Sequence, residues 1–259
     1  MNQILVTEKL YITPELKRKK KIYKFYFILS VFVVCILTSF YIYAEYDRNK
    51  SADESKQLLA DINQTLAETA EDTTIAKDDI LLVVLNGTKE DSQVEDKQLE
   101  EKQNTDVATA NEKAEWKTSA SGYRYKIIAT VQIPKINIQY TVVQGETGSL
   151  EETEALLKSS PVKYHGYDPN EVGNFCIVGH NYRNSRFFSK VPNLVVGDIV
   201  KLTDLTGRTI DYEVYDKHTV DPNDTRDTTQ LTGGRKEVTL ITCTNDSKLR
   251  VIVRCKEVK

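Results

Sequence analysis

Twenty consecutive residues, Phe25 to Ala44, carry no charge in a 259-residue chain of which 28% is Asp, Glu, Lys or Arg. The run reads FYFILSVFVVCILTSFYIYA. As a helix rising 1.5 Å per residue it covers the roughly 30 Å hydrocarbon core of a bilayer. Aromatic residues gather at both ends, Tyr23, Phe25, Tyr26 and Phe27 before and Phe40, Tyr41, Tyr43 and Tyr46 after, where the two interfaces would hold them. Lys17, Arg18, Lys19, Lys20, Lys21 and Lys24 precede the run and Glu45 and Asp47 follow it, so the positive-inside rule puts the N-terminus in the cytoplasm. The expectation is a single-pass type II protein of the cell membrane, with everything after Tyr46 external. A cleaved signal peptide competes, but its apolar region spans about 7–15 residues and ends at a small-residue site. Tyr41-Ile42-Tyr43-Ala44-Glu45 matches such a site poorly, which leaves an uncleaved anchor.

The span divides a formal net charge of −3 into unlike territories. Residues 1–24 hold seven basic against two acidic residues, a basic cytoplasmic tail. Residues 45–121 hold nine basic against nineteen acidic residues, and residues 122–259 nineteen against seventeen. The chain thus reads as tail 1–24, transmembrane helix 25–44, acidic extracellular stalk 45–121 and one domain at 122–259. Four Cys are too few for a disulfide scaffold, and glycine, at eleven residues, excludes collagen. One span excludes a multi-span membrane protein.

From 47 to 121 there is no Pro and one Gly, Gly87, and the composition is too polar to bury a core. The stalk is expected to be largely disordered or partly helical. Leu58, Leu59, Ile62 and Leu66 share one helical face, with Ser51 or Asp53 as the available cap, and 97–116 is rich in helix formers. Ile80–Leu85 is its one apolar patch. We expect a passive spacer.

After Tyr123 short β-branched runs alternate with turn residues. Strands are predicted at 125–133, 138–143, 175–179, 198–203, 209–216, 238–243 and 249–255, with a hairpin turn at Leu205–Arg208. One helix is predicted at 149–158, with Ser149 as cap and Glu152 completing a capping box. Seven or more short strands in this length give a mainly β domain, a closed barrel or a sandwich.

Three Cys fall in the domain, so at least one is unpaired. Cys176 and Cys255 suit a buried apolar role, and a disulfide between them stays open. Cys243 ends the apolar stretch Val238–Thr242 and meets polar Thr244, Asn245 and Asp246, a sheet rim where a thiol can reach substrate. His180 repeats that context after Phe175–Gly179, whereas His165 and His218 lie in loop-like surroundings. No His pair has zinc-chelating spacing, so no metal or other cofactor is expected. If 238–243 and 249–255 form a hairpin, Arg250 returns beside Cys243, where a guanidinium can stabilise an oxyanion. Arg254 competes on the same face by period two.

Gly179-His180-Asn181, then Thr239-Leu240-Ile241-Thr242-Cys243, then Arg250 resembles the signature of the sortase family. Ile133-Pro134-Lys135-Ile136, Phe187–Val191 and Val196-Gly197-Asp198 resemble further family blocks. The likeness covers about 123–259. It implies the eight-stranded sortase β-barrel, with few short helices, and a cysteine transpeptidase acting on secreted proteins with C-terminal LPxTG-like sorting signals. Cys243 would form the thioester acyl-enzyme, His180 would move the proton and Arg250 would hold the oxyanion or the substrate. The acceptor would be an amine of a peptidoglycan precursor or a pilin lysine on a Gram-positive-type surface, with no nucleic acid involved.

The stretch between Val214 and Val238 is too short and polar for the long helix that class B members insert. No apolar tail follows Cys255 as in class C, and the stalk has no lid motif; among the remaining subclasses a class D-like enzyme is preferred. Asp221-Pro222-Asn223-Asp224 resembles the opening of a calcium loop but lacks its sixth-position Gly and twelfth-position Glu. Two other readings compete: a cysteine hydrolase that releases its acyl group to water, and a membrane-tethered binding module on the same barrel.

Overall fold

β-Branched strands with alternating inward apolar residues close on themselves in the computed structural model, which describes residues 14–75, 109–112 and 114–258. The strands are β1 (Lys117–Thr118), β2 (Arg124–Ile133), β3 (Ile138–Gly145), β4 (Val162–His165), β5 (Gly173–Val178), β6 (Ile199–Asp204), β7 (Thr209–Val220), β8 (Lys236–Cys243) and β9 (Arg250–Glu257). Their order is β1-β2-β3-β4-β5-β8-β9-β7-β6, and β2 also pairs with β6. That last pairing, Ala129↔Asp204 through Gln132↔Lys201, closes β2–β9 into an eight-stranded barrel. The two-residue β1 is an appendage on β2.

Period-two alternation fills the interior. Ile128, Val131, Ile133, Phe175, Ile177, Val200, Leu202, Val238, Leu240, Val253 and Cys255 make one buried cluster. Each such side chain contributes about 1.5–3 kcal/mol by leaving water. The predicted strands appear at these places with ends shifted by a few residues, and β7 runs four residues further than expected, through His218. Strand β4 went unpredicted because only Val162 of its four residues is buried.

Helix α2 (Leu150–Leu156) is capped as predicted by Ser149, whose hydroxyl accepts from the Glu152 amide at 3.2 Å. The other half of the capping box is absent. The buried Glu152 carboxylate instead accepts from the backbone amides of Glu146, Thr147 and Gly148, fixing the β3–α2 loop. Gly145 is needed there, since a Cβ would fall within van der Waals distance of that carboxylate.

The N-terminal part departs from expectation. Helix α1 spans Pro14–Ile75 without a break, so neither Ser51 nor Asp53 caps a separate stalk helix. Its stretch at Lys17–Gln64 contains an apolar window long enough to cross a membrane, with mean hydropathy 2.4. By packing, the chain divides into residues 1–50 and 51–259. Within the second unit, Leu58 and Ile62 are buried against Ile127, Val143, Leu156, Leu157 and Val162, and Asp61 accepts from Lys117 Nζ at 2.7 Å. The helical residues 51–64 are therefore docked on the barrel's outer face. The apolar patch at 80–85 and most of 97–116 lie outside the described residues.

Ile62 is 2% exposed, so Ile62→Ala is expected to cost about 2–4 kcal/mol through lost burial and the cavity left behind. A lowered Tm of the full chain, with earlier proteolysis within 51–64, checks this. A free-standing spacer would show neither.

Candidate functional site

Three strands end at one rim of the barrel. In the parallel β5–β8 pair, Val178 lies opposite Ile241, and the Gly179 amide donates to Ile241 O at 3.0 Å. Continuing that register brings Gly179 beside Thr242 and His180 beside Cys243. The buried Thr242 hydroxyl donates to Gly179 O at 2.8 Å and fastens the two strand ends. Gly179 has no room for a side chain, because a Cβ would stand 2.5 Å from the Phe188 ring.

The β8–β9 hairpin predicted for Arg250 is present. Cys243 and Arg250 are direct antiparallel partners, across a turn in which the Thr244 amide donates to Leu249 O. Period two puts Cys243 on the outer face with Ile241, and Arg250 with Ile252. Arg254 shares that outer face but lies opposite Thr239, two outward positions down the strand from Cys243. There Arg254 is bound to Glu237 at 2.9 Å and lies over the Tyr215 ring. Of the two candidate guanidiniums, the register therefore brings Arg250, and not Arg254, beside Cys243.

All three predicted residues line one cavity of about 210 Å³. Val178, Ile241 and Ile252 supply apolar surface, and α2 with the residue after it contributes Leu150, Thr153, Glu154 and Leu157. The connection between β7 and β8 adds Pro222, Asp224, Asp227 and Thr228. An apolar trough with a thiol, an imidazole and a guanidinium at its end suits an extended peptide with small or apolar side chains. None of the α2 or connection residues was signalled by the sequence, because only the folded chain brings them to the strand ends.

Among the described residues, no hydrogen bond engages the His180 ring, which instead lies 5.0 Å from the Tyr182 ring between centroids. Burial holds its pKa below the ordinary imidazole value, with Glu154 opposing and Lys158 assisting that shift. Burial thus favours the neutral ring, the form able to take a proton from a neighbouring thiol. The Arg250 guanidinium likewise forms no hydrogen bond or ion pair among the described residues, so its donors are available to a ligand. Asn181 steadies the rim, its side-chain amide donating to Cys243 O at 2.8 Å and to Asn245 Oδ1 at 3.1 Å.

The other barrel thiols stand apart. Cys176 is fully buried on the outer face with Ile241 and Ile252, and burial pushes its pKa to about 12. Cys255 lies inside the barrel, where burial again raises the thiol. Both are free, on opposite faces of the sheet, so the disulfide left open by the sequence does not form. Only Cys243 of the three is accessible. Among the described residues no cluster of His, Cys, Asp or Glu is arranged to hold a metal ion.

His218, assigned from sequence to a loop, lies within β7, held between Asp216 and Asp227 at 2.9 Å each. Partial burial opposes its charge, but the two carboxylates outweigh that and raise its pKa. The two imidazoles should therefore titrate in opposite directions, His180 below and His218 above the ordinary value. An NMR titration of the ring resonances checks this, and coincident midpoints would contradict it.

The family profile described as Sortase domain matches residues 131–258. Solved structures similar to this chain include a Clostridium perfringens Sortase D5 transpeptidase, 28% identical over 65% of this chain and 100% of that one, with TM-score 0.48. Sortase C1 from Streptococcus agalactiae is 30% identical over 51% and 67%, with TM-score 0.43. Streptococcus pneumoniae Sortase C is 26% identical over 51% and 69%, with TM-score 0.44. A comparison with curated proteins returned no match.

Proposed function

Because the chain belongs to the sortase family, we propose that it is a membrane-anchored cysteine transpeptidase that cleaves an LPxTG-like signal and passes the acyl group to an amine. The observation that carries this reading is the convergence of Cys243, His180 and Arg250 on one apolar-walled trough.

The chemistry follows from those groups. Cys243 Sγ attacks the carbonyl carbon before the scissile bond as its proton passes to the neutral His180 ring. The carbonyl oxygen becomes an oxyanion opposite the Arg250 guanidinium, whose unengaged donors stabilise it. Collapse breaks the C–N bond, and His180 returns the proton to the leaving nitrogen, giving a free amine and a Cys243 thioester. An incoming amine attacks the thioester, loses a proton to His180 and forms a new amide. The thiol regains its proton and the enzyme is restored.

We place the anchor at Phe25–Ala44, with the tail cytoplasmic, residues 45–121 as the external stalk and 122–259 as the catalytic domain. The connection Asp221–Arg235 contains a single 3-10 turn, Arg226–Thr228, and no long helix, which favours the class D-like reading over class B.

Detergent-solubilised full-length protein, incubated with an LPxTG-type peptide and a peptidoglycan-type or lysine amine, is expected to yield the ligated product. Cleavage to the free acid alone, at saturating amine, would favour a hydrolase. No cleavage of any such peptide would overturn the reading.

A further inference from the structure

A further wall of the trough comes from the connection Asp221–Arg235, which is pinned to the barrel by two sets of side-chain contacts among others. One pin is uncharged: Gln230 and Asn174 exchange side-chain and backbone hydrogen bonds at 2.9 Å each, and Asn174 Nδ2 reaches Asp227 O at 2.8 Å. The other is ionic. His218 on β7 holds Asp227 of the connection through Nε2 and Asp216 through Nδ1. Asp227 itself lines the trough, together with Pro222, Asp224 and Thr228.

We infer that His218 is a positioning residue for the acyl-donor pocket: bridging Asp216 and Asp227, it fixes the β7–β8 connection as a pocket wall and so sets affinity for the peptide. This rests on the reading of the trough as the donor site.

The doubled bridge calls for one charge state of the ring. Each nitrogen faces a carboxylate oxygen, and only the imidazolium carries a proton on both. A neutral ring would turn a lone pair toward one of the two carboxylates, and the bridge would lose its hold on Asp216 or on Asp227. The surrounding charges are mixed. Asp216 stands opposite Arg254 in the β7–β9 register, and Arg254 also lies 4.0 Å from Asp227. On the connection, Asp224 adds negative charge near the ring and is itself paired with Arg226. Lys217 is directed elsewhere, to Pro192 O. On β9 the residue facing His218 is the uncharged Ile252.

The sign of the pH dependence follows. In the docked wall Asp227 and Asp216 both raise the pKa of His218; in a released connection Asp227 is lost while Asp216, on β7 itself, stays, so the pKa falls part of the way back. Docking is therefore favoured fully below the pKa of the released state and weakens as pH rises through the higher, docked one. The docking equilibrium, and with it KM, can change by about tenfold for each pK unit that separates the two states. His180 and Cys243 are untouched, so acyl transfer at saturating peptide should follow its own, separate profile.

The test uses full-length protein in detergent, with His218→Gln and His218→Arg. Hydrogen exchange of amides 221–232, corrected for intrinsic rates, is expected to quicken with pH in the parent protein. Exchange should be fast at every pH in His218→Gln and slow at every pH in His218→Arg. With an LPxTG-type peptide, KM should follow the same pattern, with kcat little changed between variants. Exchange in 221–232 that is independent of pH and alike in all three proteins would overturn the inference, whether or not the peptide is cleaved. A parent protein that shows the exchange pattern but cleaves no such peptide would leave the positioning role intact and sink the substrate assignment instead.

Discussion

The Cys243→Ala enzyme is expected to fold with an unchanged Tm and to lose peptide cleavage by about 10⁴-fold or more, the scale seen when a covalent nucleophile is removed. The physical ground for both halves is local. Cys243 sits at the end of β8 with its side chain on the outer face and partly accessible, so its sulfur fills no part of the barrel interior. The bond that secures this position, Asn181 Nδ2 to Cys243 O, uses the backbone and survives the substitution. The matching losses at Cys176 and Cys255 should look different. Those thiols are packed at 0% exposure, so replacing them perturbs stability and leaves turnover per folded molecule intact. A binding module on this barrel would be indifferent to Cys243→Ala.

Arg250→Ala is expected to lower kcat by about 10²–10³-fold with a smaller change in KM, the cost of one oxyanion donor. Arg250→Lys should recover only part of this, since an ammonium keeps the charge but not the planar fork. Arg254 provides the contrast, being of the same type on the same face of the same strand. Its guanidinium meets Glu237, which is 1% exposed and also accepts from the Tyr215 hydroxyl and Arg235. Arg254→Ala leaves a buried carboxylate short of a partner, and the expected effect is on stability, about 3 kcal/mol by analogy with broken buried pairs. Parallel kinetics and denaturation of the two variants separate these outcomes. A kinetic defect at Arg254 with none at Arg250 would reverse the assignment.

Much of the site was legible in the chain because strand exits have a local signature. Phe175–Gly179 and Val238–Thr242 are apolar runs that stop at polar residues, and that pattern alone places His180 and Cys243 at a rim. Arg250 was legible through the short turn that separates it from Cys243, which limits the hairpin register. What escaped was non-local. Strand β4 buries one residue in four and has no period to detect. The pocket walls come from α2 and from the β7–β8 connection, and only the folded chain brings them to the thiol. His218 lay in a stretch of mixed charge that reads as a loop, yet its outward position on β7 is what lets it reach Asp227.

The stalk gave the same lesson. Its leucine and isoleucine stripe correctly marked a helical face, but composition could not say that Leu58 and Ile62 would find Ile127, Leu156 and Leu157 on the barrel. Leu157 also lines the trough, so the docked segment packs behind a pocket residue.

The proposed mechanism turns on a covalent bond to one sulfur. Intact-mass spectrometry of the full-length enzyme, quenched in acid during turnover of an LPxTG-type peptide without acceptor, measures it directly. The predicted result is an adduct equal to the acyl fragment, mapped to Cys243, sensitive to hydroxylamine and absent from Cys243→Ala. Cleavage that proceeds with no adduct, or with one on another residue, would contradict the account.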